Sequence, residues 1–308
     1  AFKLDYYKPL GNPTKFISEL IRHFSRLKDE NISPAEYLEY AENLEADEDH
    51  ELGGDEGGSS ETDRIKELAN AYHVYNQVLL DNGYLDFGDL IIYALKLFRE
   101  RPDILARYRR QFRYVMVDEF QDTNWAQYEL VKLLAAPANN LVVVGDDDQA
   151  IYKFRGASLS NIMQFKDDFP EADEVVLTAN YRSRQEILDA AYRFIRHNDP
   201  NRLEEKLHID KRLRAGGKFL PLGKGDRPVV SLTFKAAADE LSFVASEIRR
   251  LKEAGGDSEE VRWSDFAILV RANDTADAYV KELNRQDIPN QFMSWRGLYY
   301  KPLILDIL

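Results

Sequence analysis

The chain has 308 residues, 44% of them hydrophobic and 31% charged, enough to bury a core and more than one ordinary domain holds, so two or three domains are expected. It contains no cysteine, which excludes disulfides and thiolate metal sites and fits a reducing cytosol, and no apolar run is long enough to span a membrane. A net charge of −13 argues at first against a polyanionic partner.

That charge is unevenly spread. Residues 42–63, "ENLEADEDHELGGDEGGSSETD", hold ten acidic residues and no Lys or Arg, and without them the net charge falls to −3. An acidic tract with interspersed Gly and Ser has little to bury, so a disordered loop is expected over about residues 45–62. The sequence leaves open whether a partner protein meets it. The nearly neutral remainder leaves room for local basic patches that hold phosphate backbones. The five histidines (His23, His50, His73, His197 and His208) show no paired helical spacing, so a zinc site is not expected.

In chain order, residues 14–44 read as helices. Leu20, Ile21 and Phe24 form an apolar stripe, and "SPAEYLEYA" opens with Ser33 as N-cap and Pro34 at the first helical position. A second amphipathic helix runs over 63–81 and ends at Asn82-Gly83, after which Asp86 caps a helix through residue 99. "RPDILARYRRQFR" is a short basic helix, read as a solvated face in preference to a nucleic-acid site. It leads into a strand at 114–118, a helix at 124–136 and a strand at 141–146, a βαβ unit. A helix beginning near Ser158 precedes a third strand at 174–178, and a long helix covers 183–196. Another α/β set follows, with strands at 229–234 and 266–270 and helices at 238–254 and 273–285. Val-rich strands alternating with helices imply an α/β fold built on buried parallel sheet.

Ligands of open parallel sheets bind at the carboxyl ends of strands. Three polar clusters fall at such ends: Asp118-Glu119, "GDDDQ" (145–149) and "NYRS" (180–183). The residue types suit phosphoryl transfer. Asp118 would hold Mg²⁺ through a water, and Glu119 would orient and deprotonate an attacking water. Gln149 would hydrogen-bond the γ-phosphate or that water, Arg182 would face the transferring phosphoryl group, and the ring of Tyr181 would stack on a purine. An isolated Asp-Glu after a strand is equally a helix cap with a solvated charge. The reading gains from the three clusters standing together. In "AIYKFRGA" (150–157), Phe154 stands between Lys153 and Arg155, which suits stacking on a single-stranded base, although a core Phe at a strand-to-helix turn reads the same way.

Together "VDEFQDTN" (117–124), "VVGDDDQAIYKFRGA" (143–157) and "LTANYRS" (177–183) resemble motifs II, III and IV of the UvrD/Rep/PcrA helicases of superfamily 1, in the same order and spacing. "LDFGDL" (85–90) resembles the segment with which that family re-enters its first RecA-like domain, and "FAILVRANDTADAYVKELNRQDIPNQF" resembles the start of its second. The resemblance implies RecA-like parallel sheets (a partial P-loop NTPase fold) with an inserted all-helical subdomain. The divisions would be 1–82 (helical insertion), 83–182 (first RecA-like domain, C-terminal part) and 183–308 (second, N-terminal part). It implies ATP-driven movement along single-stranded DNA, most often 3′→5′, with unwinding at single-strand/duplex junctions in repair or replication, in the cytoplasm. It gives Asp118 and Glu119 the Mg²⁺ and the water, Gln149 the γ-phosphate, Arg182 an arginine-finger role and Tyr181 the adenine. Tyr152, Phe154 and Arg155 would couple nucleotide state to DNA. Many family members carry Trp where Phe154 stands.

A phosphate-gripping loop reads G-x-x-x-x-G-K-[ST]. The nearest stretch, "GGKFLPLGKGD" (216–226), has Lys218 where the first Gly belongs and Gly225 after Lys224, and it follows the carboxylates instead of preceding them. The chain opens on Ala1 and closes on "YYKPLILDIL" in mid-element. The expectation is an internal piece of a longer enzyme, with the loop upstream, weak nucleotide binding and no efficient hydrolysis by the piece alone. The competing readings are a subunit of a helicase–nuclease recombination complex, a non-catalytic relative that binds DNA or a partner, and an RNA-directed relative.

Overall fold

The computed structural model describes residues 4–51, 60–150, 160–217, 229–254 and 261–292. The chain divides into two compact units, Ala1–Lys218 and Phe219–Leu308. Among the described residues no helix is long and apolar enough to cross a membrane.

The first unit opens with helices α1 (Ile17–Asp29), α2 (Pro34–Glu51) and α3 (Ser60–Asp81). Ser33 caps α2 as expected, accepting the Glu36 amide on Oγ at 3.2 Å, and Glu36 adds a return bond that the sequence reading did not name, its Oε2 accepting the Ser33 amide at 2.7 Å. The apolar sides of the helices meet in a core of Phe24, Leu27, Ala71 and Tyr72, with Leu20, Ile32, Tyr37 and Tyr75 against it. Phe24 and Tyr72 stack at 5.2 Å. The acidic tract corrects one expectation. Helix α2 continues through Glu51 and α3 begins at Ser60, so only the middle of the tract, 52–59, lies outside the described residues. Glu, Ala and Leu carry good helix propensity, and in "ENLEADEDHE" that outweighs the charge density.

Gly83, at φ +68°, ends the turn after α3, and Asp86 caps α4 (Phe87–Glu100) in a reciprocal box with Asp89. Lys28 of α1 enters this cap. Its side chain is 3% exposed and its Nζ lies 2.7 Å from both Asp86 Oδ2 and Asp89 Oδ1. Tyr75 Oη donates to Asp86 Oδ2 at 2.9 Å. A Cβ at position 88 would come to 2.9 Å from both Cβ and Cδ of Lys28, so Gly88 gives the lysine stem room to pass. Burial pushes the Asp86 carboxyl up, but Lys28 and the Asp89 amide more than offset it and hold it below the ordinary range.

Helix α5 (Pro102–Gln111) leads to β1 (Val115–Val117); α6 (Trp125–Ala135) and β2 (Leu141–Val143) follow. The strands pair in parallel with Val115 opposite Leu141 and Val117 opposite Val143. Phe120, after β1, is buried against Tyr128 of α6 and Phe165 of α7 (Ser160–Asp168). The other sheet face carries Met116 and Val142, 77% and 53% exposed.

The third strand departs from expectation. Residues 174–178 form no strand among the described residues, although Thr178 O accepts the Arg214 amide at 2.8 Å. The paired residues are instead β3 (Ala179–Asn180) with β4 (Arg214–Ala215), a separate parallel pair reached through α8 (Gln185–Ile195) and α9 (Leu203–Leu207). Thus the third polar cluster does not share the β1–β2 sheet.

In the second unit α10 (Ala237–Ala254) packs on α11 (Asn273–Arg285) around Ala245, Leu283 and Ile288. The expected strands at 229–234 and 266–270 likewise form no ladder among the described residues. Alternation and β-branching specify an extended backbone, whereas a ladder needs a neighbouring strand to take its N–H and C=O groups.

Candidate active site

The carboxyl ends of β1 and β2 are held together beyond their ladder. The Val144 amide donates to Val117 O at 2.8 Å, and the Phe120 amide to Val144 O at 2.9 Å. Between these bonds the chain turns at Glu119, which sits in the left-handed region at φ 50°, ψ 43°. That conformation is uncommon for a side-chain-bearing residue and costs on the order of 1–3 kcal/mol. It aims the Asp118 and Glu119 side chains into solvent beyond the strand end, with the Glu119 amide donating to Asp118 Oδ1 at 3.0 Å.

Gln121 lies directly beneath, 1% exposed. Its Nε2 donates to Glu119 Oε2 at 2.7 Å and its Oε1 accepts the Asp146 amide at 3.0 Å. Asp146 in turn accepts from Gln149 Nε2 at 2.9 Å and from Lys211 Nζ at 2.7 Å. The carboxylate after β1 and the glutamine after β2 are therefore joined through Gln121 and Asp146.

Asp146, Asp147 and Asp148 bring their oxygens within 4.8 Å of one another, an arrangement that also suits a cation. Here the cations are protein side chains. Lys211 touches all three, and Arg202 grips Asp148 with two bonds of 2.7 Å. Asp147 also accepts the Leu203 amide at 2.7 Å. Burial pushes Asp146 up, but its bonds from Lys211 and Gln149 hold it below the ordinary carboxylate range. Burial likewise lowers Lys211, while its bonds to Asp146 and Asp147 more than offset that and raise it. The bond to Asp148 raises Arg202.

Asn180 closes the turn after β3: its Oδ1 accepts the amides of Arg182 at 3.0 Å and Ser183 at 2.8 Å. Both Tyr181 and Arg182 are exposed, and the Tyr181 ring lies against the Gly216 backbone, where a Cβ would come to 2.9 Å from Cε1. Among the described residues no hydrogen bond or ion pair joins Tyr181 or Arg182 to Glu119 or Gln149. Tyr152, Phe154 and Arg155 lie outside the described residues.

The sequence thus pointed to Asp118, Glu119 and Gln149 but missed Gln121, Asp146, Arg202 and Lys211, which arrange them. The one local signal was the Asp triplet itself, whose density of charge requires cations. Nothing in its neighbourhood names Arg202, 54 positions away from Asp148, or Lys211, 65 away from Asp146.

Comparison with known proteins gives these groups a context. A family model described as the UvrD/REP helicase N-terminal domain matches residues 4–170, and one described as the UvrD-like helicase C-terminal domain matches residues 175–308. The ATP-dependent DNA helicase PcrA of Leuconostoc citreum is 40% identical over 241 residues, 78% of this chain and 30% of that protein. PcrA of Bacillus subtilis is 38% identical over 241 residues, again 78% of this chain and 30% of the relative. A probable DNA helicase II homolog of Mycoplasma capricolum is 37% identical over 78% of this chain and 31% of its own length. The chain therefore spans about a third of the length of these relatives. With both family models matched across nearly its whole length, the chain belongs to the UvrD/Rep helicase family.

Proposed function

We propose that these residues form part of an ATP-dependent DNA helicase that moves 3′→5′ on single-stranded DNA and opens duplexes at single-strand/duplex junctions, in cytoplasmic repair or replication. The observation that carries this reading is the hydrogen-bonded path from Glu119 through Gln121 and Asp146 to Gln149, at the strand ends of a member of this family.

In this reading Glu119 takes a proton from the attacking water while Gln149 contacts the γ-phosphate or that water. Asp118 and Glu119 present exposed hard oxygens, the donor type that Mg²⁺ prefers, and so fit as its holders. Mg²⁺ bound with the triphosphate supplies charge neutralisation there. Arg182, exposed on the turn after β3, answers the charge of the transferring phosphoryl group. Tyr181, 75% exposed, offers its ring to the adenine. Tyr152, Phe154 and Arg155 carry the single-stranded DNA contact. The divisions at 82 and 182 belong to the same proposal.

The test is strand displacement by the full-length protein on duplexes with 3′, 5′ or no single-stranded tails. The reading expects ATP-dependent displacement of the 3′-tailed duplex alone. Preference for the 5′ tail would overturn the polarity, and no displacement of any DNA duplex would overturn the helicase assignment.

A further inference from the structure

We propose that Gln121 is a positioning residue for hydrolysis: it fixes the Glu119 carboxylate and sets its register against the loop that carries Gln149. The inference rests on the reading of Glu119 as the base.

The geometry is specific. Glu119 stands in a left-handed backbone conformation at an exposed loop, where a free carboxylate would sample several rotamers. Gln121 removes that freedom from one side only. Its Nε2 binds Glu119 Oε2 at 2.7 Å. The other end of the same amide accepts the Asp146 amide, so one buried group ties both loops. A carboxylate at position 121 would repel Glu119, and an apolar side chain would satisfy neither loop. An amide of this length supplies both a donor group and an acceptor group from one side-chain end.

The neighbouring sequence accommodates this side chain. A Cβ at position 145 would come to 2.9 Å from Gln121 Oε1, 3.3 Å from its backbone N and 3.4 Å from Phe120 Cβ. Gly145 therefore leaves the space that the Gln121 amide uses. Asp146 then passes the register on: its carboxylate holds Gln149 Nε2 on one oxygen and Lys211 Nζ on the other. Displacing Gln121 disturbs Glu119 directly and Gln149 through Asp146. Misplacement by about 1 Å of a reacting group can cost about 100-fold in rate.

The experiment is steady-state Mg-ATP hydrolysis by the full-length protein with saturating oligo-dT. It compares wild type, Gln121→Met, Glu119→Gln and the double variant, with thermal unfolding recorded for each. Met keeps the length and burial of the side chain but removes donor and acceptor. Gln121→Met is expected to lower kcat about 100-fold, with KM for ATP and affinity for oligo-dT within about threefold of wild type. The double variant is expected to be slower than Glu119→Gln alone by far less than the about 100-fold of the single variant, because most of the effect of Gln121 runs through Glu119. A second variant, Gly145→Ala, displaces the amide without removing it and should give the same split if Gln121→Met does not fold. Wild-type kcat in a folded variant, or a loss that multiplies with that of Glu119→Gln, would overturn the assignment. A wild-type protein without DNA-stimulated turnover would overturn the underlying reading, and the assignment with it.

Discussion

Lys211 reaches back 65 positions to place its Nζ 2.7 Å from Asp146 Oδ1. The same ammonium contacts Asp147, whose side chain is 1% exposed, and Asp148 at 3.3 Å. Together with Arg202, which grips Asp148, it lets three consecutive carboxylates stand at the end of β2. Lys211→Met leaves Asp147 with the Leu203 amide as its remaining partner among the described residues, and removing one partner of a buried pair costs about 3–5 kcal/mol. The variant should lose that stability in denaturant titration at neutral pH. The sign with pH follows from Asp146, whose folded-state pKa is depressed. Its contribution is present above the ordinary carboxylate pKa and is lost as pH falls through the folded value. The gap between wild type and variant should therefore narrow on acidification, and a constant gap would count against the pairing.

Lys28 should behave as a buried charge shared by two carboxylates. Lys28→Met keeps the stem against Gly88 but strands Asp86 and Asp89, and is expected to cost about 3–5 kcal/mol in urea unfolding. Adding Asp89→Leu to that variant should recover part of the loss, since it removes one of the stranded charges. Gly88→Ala, which brings a Cβ to 2.9 Å from the lysine stem, should cost about 1–3 kcal/mol.

Gly216 sets the resting place of the Tyr181 ring. In Gly216→Ala the new methyl meets Cε1 at 2.9 Å and the ring must move. If Tyr181 carries the adenine, the full-length protein should show a KM for ATP raised by about 3- to 10-fold with kcat unchanged, the scale of one aromatic stacking contact. An unchanged KM would separate Tyr181 from the nucleotide.

Asp29 gives a pH signature of opposite sign. Burial raises its pKa to about 6, against the lowering effect of a 2.7 Å hydrogen bond from Asn124 Nδ2. A raised folded-state value means that its stabilising contribution is fully present below the ordinary carboxylate pKa and is lost as pH rises through about 6. Asp29→Asn keeps an acceptor for Asn124 and removes the titration. The variant should gain in Tm relative to wild type between pH 5 and 7, and parallel Tm profiles would refute this.

What could be read from the sequence was what is encoded locally. Helix α11 begins and ends where periodicity put it, and Ser33 and Asp86 cap the helices that follow them. The strand runs at 174–178, 229–234 and 266–270 have the composition of strands but find no ladder among the described residues, because a strand's partner is not written in its own residues. The same limit applied to the site. Glu119 and Gln149 were visible from residue type and position after a strand. Gln121 was not, because its role depends on a buried amide meeting a second loop, 25 positions on, with a glycine leaving it room. Lys28 and Lys211 were equally hidden, since a long basic side chain reads as solvated until the acids around it are placed.

The most direct measurement is Mg-ATP hydrolysis by the full-length protein, with and without oligo-dT, beside Glu119→Gln. The account predicts turnover that oligo-dT stimulates and that Glu119→Gln lowers by about 100- to 10,000-fold, the range for losing a general base. DNA-stimulated turnover that survives Glu119→Gln would contradict it.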